Sequence, residues 1–140
     1  MVLGAARANG VLPTFLTPRR AIPMIATRDI GRAAADALLD PPQGVRVVEL
    51  VGPAEWTPED VARALTDLIG REVRAQGGPL DAVVPTLTSM GFQPGTAALF
   101  REMIGGINRG HVDREHGRGV LRLGTLTLGE VLGPMLKAAG

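Results

Sequence analysis

His111, Asp113, Glu115 and His116 crowd into one short stretch and together offer the donor types a divalent cation takes. Their spacing argues against such a site. His-x-x-x-x-His does not bring two imidazoles onto one helical face as an i, i+4 pair would, and Gly110 and Gly117 bracket the stretch as a loop. A solvated charged loop is the expected reading. Ser89 is the only serine, and it lacks the strand-turn-helix elbow that exposes a nucleophile, so a surface or capping role is expected. Asp29 stands where a helix should begin; capping that helix or holding nearby amides is expected ahead of acid-base work. A dinucleotide site needs Gly-x-Gly-x-x-Gly between a strand and a helix, so that backbone amides reach the pyrophosphate. There are 19 glycines, and none has that spacing. Lys137, the single lysine, is followed by Ala138, which excludes a Gly-Lys-Ser/Thr phosphate loop. With no tyrosine, proton transfer by a Tyr/Lys pair is absent. No cysteine means no disulfide and no thiolate metal site.

The elements that would position these residues follow from pattern and punctuation. Residues 1–10 read as the tail of a helix stopped at Asn9-Gly10, which suggests a chain cut from something longer. Val11 to Leu16 is a short extended piece interrupted by Pro13, and residues 17–20 form a turn. Ile22 to Ala26 reads as a short edge strand because of Pro23. A helix capped by Thr27 or Asp29 should run to Leu39, with Ile30, Ala33, Ala34, Ala37 and Leu38 as its apolar stripe. Val45 to Val51 is the clearest strand, ended by Gly52-Pro53, and it wants neighbours on both sides. Thr57-Pro58-Glu59-Asp60 has the cap, first-turn proline and acids of a helix start, and Gly70 is the stop. A brief strand is expected at 73–75. A helix opening at Pro79 is then kinked or shortened by Pro85. The longest helix starts at Gln93-Pro94 with a face of Leu99, Phe100, Met103, Ile104 and Ile107. Residues 118–124 are extended, and Thr127-Leu128-Gly129-Glu130 has capping-box spacing before a last helix face of Leu128, Val131, Leu132, Met135 and Leu136.

Composition fits one globular domain over residues 1–140, large enough to bury a core. Only 3% of residues are aromatic, so that core must be built from Leu, Val and Ile. The net charge of +1, with its arginines scattered among acids, gives no reason to expect nucleic acid or an anionic membrane as partner. No apolar run approaches the roughly 20 residues of a membrane span, and the start lacks a signal-peptide layout; a cytoplasmic protein is expected.

Three segments, in order, resemble the NmrA-like group of atypical short-chain dehydrogenase/reductase relatives. Residues 22–35 look like that family's strand and Asp-Ile-Gly helix start. Residues 47–53 followed by 56–62 resemble its late strand, Gly-Pro turn and Thr-Pro-capped helix. Residues 91–110 are similar to the helix that closes its substrate side. The resemblance covers most of the chain from about residue 10 and begins after the family's cofactor-binding portion. It implies a mixed α/β (α+β) fold: a partial Rossmann-like C-terminal portion with about five helices and a few short strands, the first Rossmann half absent. Family members bind NAD(P); some are quinone oxidoreductases and others redox-sensing regulators. The resemblance therefore implies the substrate-binding portion of such a protein, not catalytic alone, with no cofactor-binding residue of its own. It places Phe15 and Met24 toward the nicotinamide side of the cleft, with core packing the expected role of each. Phe92 and Phe100 lie on a helical apolar pattern and are expected in the core or in a pocket wall. Trp56 is expected to pack at its helix start. Phe15, Met24, Trp56 and Phe92 are the candidate contacts for a small apolar or quinone-like ligand. The 111–116 loop would be a lid in the intact family. The expected partner is a cofactor-binding half or a second copy in a homodimer. The alternatives are a non-enzymatic dimerising module and a free-standing apolar-ligand binder.

Overall fold

The fold is that of a computed structural model, which describes residues 2–40, 43–112, 117 and 119–138. In chain order its elements are α1 (Val2–Asn9), β1 (Val11–Thr14), β2 (Ile22–Pro23), α2 (Thr27–Leu39), β3 (Val48–Val51), β4 (Glu55–Trp56), α3 (Pro58–Ile69), β5 (Arg74–Gly77), a 3-10 turn (Leu80–Ala82), α4 (Val83–Ser89), α5 (Pro94–Arg109), β6 (Val120–Leu123) and α6 (Leu128–Ala138). The strands pair as three two-stranded sheets. Two compact units result: Met1–Arg20 with Thr57–Asp113, and Ala21–Trp56 with Arg114–Gly140.

The first unit holds most of the buried apolar residues. β1 and β5 run parallel, Val11 opposite Arg74 and Thr14 opposite Gly77. Ala6 of α1, Leu12 of β1, Ala62 and Leu65 of α3, Val73, Val83 of α4 and Ala97 of α5 are buried. The first helix ends at Gly10, whose φ of 67° is the left-handed conformation that favours glycine. α3 starts as its sequence predicts. The Thr57 hydroxyl accepts from the Asp60 amide at 3.0 Å, and the Asp60 carboxylate accepts from the Thr57 amide at 2.9 Å. Gly70, at φ 73°, ends that helix, and the Thr66 hydroxyl accepts from the Val73 amide at 2.9 Å, fixing the approach to β5. Pro85 divides its segment as expected. The 3-10 turn precedes it, and the proline falls in the first turn of α4, where a missing amide costs nothing.

The longest helix is rotated from its expected face. Ala97, Gly105 and Gly106 are the buried residues of α5, while Leu99 is 67% exposed and Phe100 and Met103 also reach the surface. Close packing is the reason. A methyl group at Gly106 would lie 3.0 Å from Val112 Cγ2, and one at Gly105 would lie 3.6 Å from Leu80 Cδ1, so the small side is the one that packs inward.

In the second unit β2 and β4 pair antiparallel, Ile22 opposite Trp56, and β3 and β6 pair parallel, Val48 opposite Val120. The strand expected over 45–51 is shorter, because pairing begins only at Val48 and Val45 is fully exposed. Neither Thr27 nor Asp29 caps α2; the cap position is Ala26, without a side-chain bond, since Asp29 is engaged elsewhere. The α2 stripe is not covered either: Ile30 and Leu38 are exposed, Leu38 at 82%. Among the described residues, Leu132 and Leu136 of α6 are the buried large apolar side chains of this unit.

Candidate functional site

In the first unit the segment after β1 is shaped by Asn108, near the end of α5. Its Oδ1 accepts from the Thr17 amide at 2.8 Å and its Nδ2 donates to the Phe15 carbonyl at 2.9 Å. One amide side chain thus satisfies both polarities of a loop and holds the half-buried Phe15 in place. The Phe15 ring lies against Gly78, where an added methyl would sit 3.1 Å from the ring edge. Phe92, at the turn into α5, meets Phe100 edge to face, with ring centroids 5.7 Å apart at 87°. Both rings keep more than a third of their surface exposed, so they form an open apolar wall rather than a sealed core.

Met24 and Trp56 belong to the second unit. Trp56 is half-buried on β4, opposite Ile22, and the Met24 carbonyl rests against Gly52, where a Cβ would fall 1.9 Å from its oxygen. Of the four candidates the sequence nominates, Phe15 and Phe92 therefore lie in one unit, and Met24 and Trp56 in the other.

Sequence reasoning left open what Asp29 does, and its partners lie almost a hundred positions away. Its Oδ2 accepts from the amides of Thr125 at 2.9 Å and Leu126 at 3.1 Å, and its Oδ1 from the Thr125 hydroxyl at 3.3 Å. The Leu126 amide is the largest influence holding its pKa below the ordinary 3.8, with Thr125 adding to it against the opposing effect of burial. An aspartate so held stays ionised at neutral pH and is a poor proton acceptor. Beside it is a cavity of about 250 Å³ lined by Ile25, Arg32, Leu50, Arg122 and Gly124, among others. The Arg122 guanidinium donates to the Asp36 carboxylate of α2.

This geometry bears on whether a nucleotide phosphate fits. Phosphates bind where a glycine-led strand-to-helix junction presents free amides. The β6–α6 junction opens with Gly124, but the amides of Thr125 and Leu126 already bond an internal carboxylate, and a methyl at Gly124 would meet Asp29 Oδ2 at 2.6 Å. At the other glycine pair following a strand, Gly77-Gly78, the next residue is Pro79, which has no amide, and Phe15 covers Gly78. These junctions do not fit a pyrophosphate. Among the described residues no three His, Asp or Glu side chains group as a metal site. Asp113, Glu115 and His116 of the charged loop lie outside the described residues. No described helix is long and apolar enough to cross a membrane.

No protein-family model and no curated protein matches the sequence. Solved structures do match the fold. The NADPH-dependent quinone oxidoreductase of Escherichia coli, complexed with NADPH, aligns with a TM-score of 0.72 and 24% identity over 95% of this chain and 47% of its own. Triphenylmethane reductase of Citrobacter sp., complexed with NADP(H), aligns with a TM-score of 0.65 and 17% identity over 96% of this chain and 45% of its own. The chain thus spans about half the length of the solved structures it matches. Its mixed α/β architecture is that of a partial Rossmann-like fold found in NADPH-dependent reductases.

Proposed function

We propose that this chain is the substrate-side portion of an NAD(P)H-dependent oxidoreductase of the NmrA-like, atypical short-chain dehydrogenase/reductase group. On this reading it contributes a surface for a quinone-like ligand and takes its nucleotide from a cofactor-binding half. One observation carries it: the likeness to two reductases bound to NADP(H) extends over nearly all of this chain but less than half of theirs. The occupied Gly124 junction supports the division, since the amides that could have met a phosphate are bonded within the fold. Met24 and Trp56 of the second unit are proposed as ligand contacts, and Phe15 and Phe92 separately within the first, each acting through apolar area and ring stacking rather than proton transfer.

Trp56 is the only tryptophan and reports on this directly. Titration with 1,4-naphthoquinone should quench its emission saturably, and Met24→Gln should weaken that saturation about tenfold. Quenching that rises linearly without a plateau, in both proteins alike, would contradict the assignment.

A second reading is favoured by the α5 surface. Leu99, Phe100 and Met103 with Phe92 leave an apolar strip on the first unit of the kind that self-associating domains bury. Light scattering decides it: a concentration-dependent dimer lost in Leu99→Glu supports a homodimer, and a strict monomer at high concentration removes it.

A further inference from the structure

In the second unit α2 and the β3–β6 pair face each other with too little side chain between them. Register sets Val48 opposite Val120 and Leu50 opposite Arg122, and the period-two alternation of a strand turns all four to one face of the pair. On the helix side that face meets Ala33, Ala34 and Ala37 rather than larger residues, and a cleft of about 480 Å³ remains between them. Small-molecule sites span about 300–1,000 Å³. Ile30, Val48 and Val120 each keep more than a third of their surface exposed around this cleft, so its wall is apolar and unfilled. The cavity of about 250 Å³ beside Asp29 adjoins it, since Ala33, Leu50 and Arg122 line both.

Spare hydrogen-bonding capacity around the smaller cavity is of one polarity. Asp29 already accepts from two amides and a hydroxyl, and Asp36 from the Arg122 guanidinium. A guanidinium has five N–H donors, and among the described residues Arg122 spends one of them, on Asp36. Arg32 also lines the cavity and has no hydrogen bond or ion pair to any described residue. The Leu126 amide does most to keep Asp29 ionised and Arg32 does least, so little of the arginine's charge is spent there. Asp40 and Arg46, exposed and opposite in sign, border the larger cleft where α2 ends and β3 approaches. The interior thus combines unsatisfied cationic donors at one end with an apolar wall beyond them.

We propose that these adjoining cavities bind an amphipathic monocarboxylate, its carboxylate between Arg32 and Arg122 and its aliphatic chain along the alanine face of α2 toward Val48 and Val120. A carboxylate matches the fork of a guanidinium, and a methylene chain suits a wall that offers it no polar partner. The site needs neither nucleotide nor quinone and does not depend on the oxidoreductase reading.

The test titrates sodium octanoate into the isotopically labelled chain and follows the backbone amide shifts, with 1-octanol as the same chain lacking the charge. Octanoate should give saturable shifts at Ala33, Leu50 and Arg122, at a midpoint about tenfold below that of octanol. Arg32→Gln, at an exposed position with no described bond to lose, should weaken octanoate about tenfold and leave octanol unchanged. Ala37→Phe fills the cleft and should weaken both, with Ala37→Leu in its place should the second unit not tolerate the ring. Absence of saturation by octanoate below about 10 mM overturns the proposal. Equal midpoints for acid and alcohol overturn it too, as do an Arg32→Gln titration that matches the parent and shifts centred instead on Phe92 and Leu99 of the first unit.

Discussion

Asp29 ties the start of α2 to the residues that lead into α6, through one carboxylate and two amides. Its removal leaves those amides without their acceptor, so Asp29→Ala should lower the melting temperature and speed exchange at Thr125 and Leu126. Acid should act through the same group. A carboxyl whose folded pKa lies below its unfolded value adds stability above the unfolded value, and that stability is lost as pH falls through the folded one. Asp29, Asp60 and Glu130 are all shifted downward, chiefly by the Leu126 amide, the Thr57 hydroxyl and the Thr127 amide respectively. Their common contribution is therefore complete above about pH 4.5 and declines as the solution is acidified below that. Thermal melts from pH 6 to pH 3 should fall less steeply for Asp29→Ala than for the parent. Parallel curves would show that this carboxylate does not carry the effect. Gly52 is a second sensitive point. A methyl there would collide with the Met24 carbonyl, and Gly52→Ala should cost about 2–3 kcal/mol, measured by urea unfolding.

At the scale of elements, caps were the most legible feature. Thr57-Pro58-Glu59-Asp60 forms the reciprocal bonds its spacing promises, and Thr57→Ala should cost about 1 kcal/mol, with a midpoint shift in urea as the check. Thr127 and Glu130 form the same box, again as the spacing implies. Caps are readable because donor and acceptor lie within one turn. Faces were less legible. The α5 pattern of Leu99, Phe100 and Met103 looks like a core stripe, yet the buried side of the helix carries Ala97, Gly105 and Gly106, small residues that hydrophobic periodicity does not single out. Asp29 and Asn108 were beyond reach for another reason: their partners are distant in sequence, and no local spacing announces them. The aromatic pair is testable at this scale too. A double-mutant cycle on Phe92→Ala and Phe100→Ala should return about 1 kcal/mol of coupling, since the rings meet edge to face.

Over the whole molecule, buried apolar residues are unevenly shared. The first unit encloses residues from α1, β1, α3, α4 and α5, whereas the second leaves Ile30, Leu38, Val48, Val120 and Leu121 in contact with solvent. A unit with few buried apolar contacts opens more readily. Native-state exchange should therefore be faster for amides of β3 and β6 than for those of β1 and β5. Equal protection in the two parallel pairs would contradict this. The chain matches under half the length of two solved reductases, one complexed with NADPH and one with NADP(H).

Calorimetric titration of the 140-residue chain with NADPH tests the central claim most directly. With the amides after Gly124 bonded to Asp29, and the Gly77-Gly78 junction followed by Pro79 and covered by Phe15, no saturable heat is expected at any concentration below the millimolar range. A one-to-one isotherm with micromolar affinity would place a complete nucleotide site within this chain and contradict it.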